Sequence, residues 1–380
     1  MPFPPARGDD PTPTGHHKWS FLTKKHEIVI FSSTAIALYG YDQGMMSLIN
    51  TNHSYLRTMA IAGDSPLVGI IVSVYYLGCT VGAVLASYWA DRRGRKPSIS
   101  ACLATTMVGN LLMFIAGMGP NGSNPWNGAA IAFMMAGRIT LGLGVGGIDA
   151  TIPVYSAELT RVKSRGRSLA QAFQMNIFGL LIAFSINLGV TIALGKENQW
   201  AWRIPIIVMQ VFPILLISTI SRLPESPRWF VSQGRSDDAM EALAALFDQQ
   251  KAHETLDDLV QAQEDGTSQR MGYLDMILPR GSQFHATMLT VMGQINQALT
   301  GYGAVSVYGP QIFELLGFNV RSAEFVTLGN YLSYFLMMTV AWVTIDAIGR
   351  RKLMIWGSAG LSISFALLMA LKYSGPLFSS

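Results

Sequence analysis

The chain has 380 residues, of which 50% are hydrophobic and only 13% are charged, against roughly 25% charged residues in an average soluble domain. This composition argues against a soluble enzyme. The excess of 27 Lys and Arg over 23 Asp and Glu lies in short clusters beside apolar runs, where it orients a chain in a membrane. Nucleic-acid binding is therefore not expected.

Nine apolar segments are long enough to cross a bilayer as helices, which requires about 20 residues each. In chain order they cover residues 27–49, 67–89, 97–118, 128–157, 168–192, 203–221, 285–312, 322–345 and 353–372. The sequence therefore predicts an all-α polytopic membrane protein.

A charged segment divides these spans into six and three. We expect a cytoplasmic tail over 1–26, a complete six-helix bundle over 27–221, a cytoplasmic helical domain over 222–284 and a partial bundle of three helices over 285–380. Within the charged segment, apolar residues at three-to-four spacing predict amphipathic helices packed under the bundle. These helices cover 237–250 and 253–262.

The basic clusters all fall on one side of the expected membrane. They occupy residues 18–25, 92–96, 161–167 and 350–352, whereas the loops 50–66 and 119–127 hold a single Arg. The positive-inside rule then places the N-terminus in the cytoplasm. The sequons at Asn52 and Asn121 would face outward and could accept a glycan.

Neither a metal site nor a cofactor is expected. The two cysteines, Cys79 and Cys102, lie in apolar segments without metal-ligand spacing or a second pair. The glycine run Gly142-x-Gly144-x-Gly146 follows no strand, so it indicates helix packing rather than a nucleotide site. No nucleophile with a base is recognisable, and we expect no catalytic residues and no enzyme.

One loop motif occurs twice. Asp91 to Lys96 and Asp346 to Arg351 share the spacing Asp-x-x-Gly-Arg-basic. Parallel internal repeats of this kind build many transporters, with the substrate site at the midplane between the repeats.

Five further motifs give the sequence a family resemblance. They are Gly137-Arg138, the glycines at 142–147, Pro153 to Glu158, Arg165-Gly166-Arg167 and Pro224 to Trp229. From Ile28 to Met369 the chain resembles the sugar porter family of the major facilitator superfamily, especially its fungal hexose-type members. The resemblance implies the major facilitator fold and alternating access. That fold has twelve helices. Since the sequence contains only nine expected spans, we expect a chain that is truncated after its ninth helix.

The resemblance is uneven at the expected sugar site. Gln297 matches the first glutamine of the family's paired-glutamine motif, but Ala298, Gly303 and Tyr334 stand where amides are usual. Amides suit sugars because hydroxyls both donate and accept hydrogen bonds. The remaining candidates for substrate binding, with Gln297, are Gln171, Gln174, Gln294 and Asn330. Alternatively, some of these amides only pair helices.

We single out three ionisable residues inside the predicted spans, where charge is costly and marks functional sites. Asp42 matches the acid of proton-coupled sugar porters and Arg138 matches its partner arginine, and both fall in the outer half of their spans. Asp149 shares a helix face with Arg138 and is no part of the family pattern. We expect it either to couple protons or to line a water-filled cavity.

The resemblance assigns a second group of charges to a cytoplasmic gate, although basic loops also set topology. The group comprises Asp91, Arg95, Glu158, Arg165, Glu225, Arg228, Asp346, Arg350 and Arg351. Salt bridges among them would hold the inner ends of the bundles together in the outward-open state.

The sequence thus predicts transport of a sugar or related polyol, by proton symport, at the plasma membrane. Its partners would be the small-molecule substrate, protons and the lipid bilayer. Two alternatives remain open. The first is an anion or organic-acid carrier, and the second is a non-transporting product, either truncated or acting as a sugar sensor.

Overall fold

The computed structural model describes residues 24–63, 65–118, 127–159, 165–267 and 284–373. Within these ranges the chain is helical and contains no β-strand. The predicted all-α class is therefore confirmed.

Eight helices form what we call the N-half: α1 (Lys24–Ile49), α2 (His53–Met59), α3 (Pro66–Arg93), α4 (Arg95–Ile115), α5 (Asn127–Leu159), α6 (Arg165–Leu194), α7 (Gln199–Met209) and α8 (Val211–Ile220). Three shorter helices follow: α9 (Pro227–Ser232), α10 (Ser236–Ala244) and α11 (Gln249–Thr267). The C-half comprises α12 (Phe284–Leu299), α13 (Tyr302–Leu315), α14 (Val320–Ile348) and α15 (Arg350–Tyr373).

Six helical stretches in the described ranges are long and apolar enough to cross a membrane. They are α3, α4, residues 129–159 of α5, residues 170–194 of α6, α7 with α8 taken together, and the first 26 residues of α14. The helices α1 and α15, with 26 and 24 residues, are not in that set. The seventh expected span is broken at Gly301, which has a left-handed φ of 73°.

Small residues let the helices of the N-half approach closely. A Cβ atom added at Gly146 of α5 would lie 2.2 Å from the Cys79 carbonyl oxygen of α3, and one at Gly144 would lie 2.3 Å from Thr106 Oγ1 of α4. The glycine run therefore packs α5 against two neighbours at backbone distance, which confirms its interpretation as a helix-packing motif.

We expect Gly146→Val to abolish correct folding, because the added methyl groups would overlap backbone atoms that cannot move aside. Gly189→Val in α6 is the matched control, since a Cβ atom there meets nothing within 4 Å. Gel filtration in detergent measures the monodisperse fraction. Equal fractions for the two variants would contradict this packing account.

The helix α9 and the turn after α10 pack against the N-half, as the sequence predicted for this segment. Trp229 Nε1 donates a 3.0 Å hydrogen bond to the Asp91 carbonyl, and Leu246 is buried in the same core cluster as residues of α1 and α5. The expected helix over 237–250 instead ends at Ala244, because the chain turns there and carries Leu246 into the core. The sequence analysis missed α9, which starts at the Ser226 N-cap with Pro227 in its first turn.

The burial of Asn52 does not agree with the expectation that it could accept a glycan in the folded chain. Asn52 is 3% exposed, and its side-chain oxygen accepts a hydrogen bond from the Tyr55 backbone N–H as the N-cap of α2. Modification would require α2 to unfold. Asn121 lies outside the described residues.

Candidate functional site

A buried ion pair joins α1 to α5. Arg138 Nη1 donates to Asp42 Oδ1 at 2.5 Å, and the two side chains are 2% and 1% exposed. The Tyr75 ring of α3 lies 4.4 Å from Arg138 Cζ and adds a cation–π contact. The structure thus brings together the two residues that the sequence singled out as possible partners.

The pair can change charge at only one of its members. Arginine remains protonated in proteins, whereas a carboxyl group can take up a proton. Protonation of Asp42 would leave the buried guanidinium without a counter-charge, so it would strongly change the energy of this arrangement. The arrangement can therefore convert proton binding into a conformational preference.

Asp149 has a different environment from Arg138 although both lie on α5. Its side chain is exposed, and within the described ranges it forms no ion pair. It lies close enough to Tyr39 of α1 to interact with it electrostatically, as does Tyr302 of the C-half. Asp149 therefore faces the space that Tyr39 shares with the C-half and does not contribute to the Asp42–Arg138 pair.

Polar contacts link the N-half to the C-half at the end where α1 finishes. Ser47 Oγ and Tyr331 Oη are 3.0 Å apart, and the Tyr331 hydroxyl also donates to the Ser306 carbonyl at 3.0 Å. Deeper in the interface, Tyr302 Oη donates to Gln43 Oε1 at 3.4 Å. This end of the interface is closed.

The five candidate substrate-binding amides do not form one cluster. Gln174 is buried and donates to Thr339 Oγ1 of α14 at 2.5 Å, which makes it a contact between the halves, as the helix-pairing alternative anticipated. Gln171 is half-buried. Gln294, Gln297 and Asn330 are exposed, and their side-chain amides form no hydrogen bond to another described residue.

Arg95 is the centre of a charge network at the end that carries the basic loops, which we call the basic end. Its guanidinium contacts both Glu158 oxygens, at 3.0 and 3.1 Å, and Asp91 Oδ1 at 3.0 Å. The Glu225 carboxylate accepts the backbone N–H groups of Arg95, Lys96 and Ser226 at 2.9 to 3.0 Å. These contacts connect α3, α4, α5 and the segment before α9.

The other expected gate residues take no visible part in this network. Arg228 and Arg351 are exposed and form no ion pair with a described residue. The side chains of Arg165, Asp346 and Arg350 lie outside the described residues. Within the described part of the chain, no ion pair joins the basic end of the N-half to α14 or α15.

The sequence analysis did not identify three charged residues that are buried or half-buried in the structure. Arg203 of α7 is 1% exposed and donates to the carbonyls of Phe114 and Ala116 at the end of α4. Lys196 and Glu324 form an ion pair between the halves. Glu324 could have been found from the sequence, because it is an acid inside the predicted span 322–345. Lys196 lies between two predicted spans, so nothing in the sequence pattern marks it.

The chain is similar to known transporters along most of its length. The family profile described as "Sugar (and other) transporter" matches residues 28–376. The sugar transporter STL1 of Saccharomyces cerevisiae is 28% identical, with 93% of this chain and 63% of that protein covered. The major myo-inositol transporter IolT of Bacillus subtilis is 27% identical, with 93% and 70% covered, and the quinate permease of Neurospora terricola is 26% identical, with 97% and 69% covered.

These curated relatives are longer than this chain, which spans 63% to 70% of their length. Among solved structures, the partially occluded inward-open form of the xylose transporter XylE from E. coli aligns with a TM-score of 0.77 at 23% identity, covering 93% of this chain and 81% of that one. A structure of the proton:xylose symporter XylE bound to a bromodeoxyglucose aligns with a TM-score of 0.75, covering 87% and 71%. This likeness identifies the major facilitator fold.

Proposed function

Because the chain belongs to the sugar (and other) transporter family, we propose that it moves a sugar or a related polyol across a membrane by alternating access and couples this movement to proton symport. The observation that carries the coupling is the fully buried Asp42–Arg138 pair. A buried carboxyl group with a single guanidinium partner can hold a proton in one state and release it in another.

Alternating access is supported by the uneven closure of the two ends. Contacts between the halves close the end that holds Ser47 and Tyr331 and extend inward to the hydrogen bond between Gln174 and Thr339. The described ion pairs of the basic end, in contrast, stay within the N-half. We propose that this form is open towards the basic end. In the opposite form, Arg95, Glu158 and Glu225 would gain partners among the basic-end charges of the C-half.

We propose that the basic end faces the cytoplasm and that the chain resides in the plasma membrane. The clusters at 92–96 and 350–352 support the orientation because short cytoplasmic loops carry an excess of Lys and Arg. The domain boundaries at 26, 221 and 284 then separate the cytoplasmic segments from the two bundles.

We propose that the substrate hydroxyls bind between the halves, with Gln297 as the principal amide and Gln294, Gln171, Gln174 and Asn330 as further contributors. Gln294 and Gln297 are three residues apart on α12, so they share a helix face. The helix ends directly after them and the break at Gly301 follows. A break at this point allows α13 to move over a ligand without unwinding α12.

We expect Gln297→Ala to weaken binding of the transported polyol at least tenfold. A bidentate amide makes two hydrogen bonds, each worth about 0.5–1.5 kcal/mol, and tenfold corresponds to about 1.4 kcal/mol. Gln294→Ala should have a smaller effect. Isothermal titration of the purified chain measures both dissociation constants.

A gain-of-function variant complements this loss. Ala298→Gln combined with Gly303→Asn restores two amides that the family usually carries, and a Cβ atom at Gly303 meets nothing within 4 Å. We expect tighter glucose binding. An unchanged dissociation constant for Gln297→Ala, together with no gain of glucose binding, would move the substrate site away from α12.

The anion or organic-acid alternative has one specific observation in its favour, which is the similarity to quinate permeases over 97% of the chain. Radiolabelled uptake into yeast that lacks its own hexose transporters, across hexoses, polyols, quinate and phosphate, distinguishes the two substrates. We expect uptake of a neutral sugar or polyol in preference to either anion. Binding of a polyol without any uptake would support the non-transporting alternative.

A further inference from the structure

An ion pair lies at the closed end of the interface, opposite the basic end. Lys196, in the connection between α6 and α7, places its Nζ atom 2.7 Å from Glu324 Oε1 in the second turn of α14. The Glu324 side chain is 1% exposed and the Lys196 side chain is 19% exposed. Lys196 belongs to the N-half and Glu324 to the C-half, so the pair bridges the two.

The backbone of Lys196 is fixed to the N-half. The Ser54 N–H of α2 donates to the Lys196 carbonyl at 3.0 Å. The adjacent Glu197 carboxylate accepts from Arg57 Nη2 at 2.8 Å and lies 2.9 Å from His53 Nδ1. The His53 hydrogen bond, with the Arg57 guanidinium, holds the pKa of Glu197 below its ordinary value. Because its backbone is fixed in this way, Lys196 stays with the N-half when the two halves separate.

The pair lies above the other contacts that close this end. Tyr331 follows Glu324 by seven residues of α14, which places it about 10 Å deeper along the helix axis. There the Tyr331 hydroxyl joins Ser47 to Ser306, and its ring packs edge-on against Phe184 at 5.1 Å. A solute entering from this end would meet Lys196 and Glu324 before it reached Tyr331.

We infer that Lys196 and Glu324 are positioning residues that hold this end shut, as the gate opposite the basic end in the transport cycle proposed above. In the closed form the Glu324 carboxylate is withdrawn from water, and its nearest counter-charge is the Lys196 ammonium at 2.7 Å, whereas the exposed Arg321 guanidinium is 3.6 Å away. Loss of that nearest partner is unfavourable because the carboxylate is buried. When the halves separate, water reaches both charges and neither needs the other. The pair therefore favours the closed form.

The test is the accessibility of a buried cysteine beneath the pair. Ser47→Cys is introduced into the full chain carrying Cys79→Ser and Cys102→Ser, because Ser47 is fully buried against Tyr331. The protein is reconstituted in phosphatidylcholine nanodiscs and labelled with a polar maleimide. Labelling of the starting protein should be slow. We expect Lys196→Met and Glu324→Gln each to accelerate labelling at least about fivefold, the factor that corresponds to about 1 kcal/mol.

Charge reversal separates gating from general damage to the fold. The double variant Lys196→Glu with Glu324→Lys restores an ion pair and should return labelling to within about twofold of the starting rate. Arg321→Met is the matched control, since Arg321 lies 3.6 Å from Glu324, is 54% exposed and bridges no halves. Unchanged labelling in both single variants, or a reversed pair that labels as fast as they do, would overturn the inference.

This experiment stands apart from the test of transport, because labelling needs no substrate. Accelerated labelling in a chain that binds no sugar or polyol would preserve the gate and reject the proposed substrate class. Polyol binding together with labelling that ignores Lys196 and Glu324 would preserve the substrate class and reject the gate.

Discussion

Asp42→Asn is expected to abolish proton uptake on polyol binding while leaving the binding itself measurable. In the wild-type chain, Asp42 is the member of the buried pair that can take up a proton. If its protonation state differs between the free and the bound protein, binding must exchange protons with the solvent. Asparagine keeps the side-chain shape and a hydrogen-bond acceptor for Arg138, but it cannot titrate.

The proton exchange is measured by titrating polyol into the purified chain in two buffers of different ionisation enthalpy. Asp149→Asn is the matched control, since Asp149 is also an acid of the same bundle but is exposed and unpaired among the described residues. An unchanged pH dependence in Asp42→Asn would make Asp42 structural. Loss of proton exchange in Asp149→Asn alone would transfer the coupling role to Asp149.

The second large effect concerns the stability of the same pair. We expect Arg138→Met to lower the free energy of unfolding by about 3–5 kcal/mol, because it leaves the Asp42 carboxylate buried without a counter-charge. Adding Asp42→Asn to Arg138→Met removes that uncompensated charge and should recover most of the loss. Denaturant unfolding in detergent micelles measures both variants.

The control for this comparison of the single and double variants is an exposed ion pair. Arg57→Met breaks the contact with Glu197, in which the two side chains are 75% and 60% exposed, and water screens such an exposed pair so that it contributes little to stability. A double variant as unstable as Arg138→Met alone would show that Arg138 stabilises the bundle by packing, through contacts such as that with Tyr75, rather than by compensating Asp42.

The sequence predicted those features that depend on local pattern. The apolar runs located the helices α3 to α6 because their length and composition alone mark a membrane span. The glycines of α5 predicted close packing of that helix against its neighbours. The expected span 203–221 instead starts at Gln199 and divides at Gln210, where Pro213 removes the N–H that would bond the Met209 carbonyl.

Features that depend on contacts between distant segments were not accessible in the same way. The Lys196–Glu324 pair joins residues 128 positions apart, and nothing local to Lys196 indicates a buried partner. The exposure of Gln297 also depends on which helices surround α12, and the helix face alone could not supply that information. Asp42 and Arg138 were found because each is a charged residue inside an apolar run and because both match positions of the family pattern.

Proton exchange by the wild-type chain on binding a neutral polyol tests the central claim most directly. The account predicts that a hexose or myo-inositol binds with uptake of about one proton per site, as linkage requires when a single carboxyl group changes its protonation state. Binding that exchanges no protons between pH 5 and 8, in a chain whose Asp42 and Arg138 are intact, would contradict proton symport through this pair.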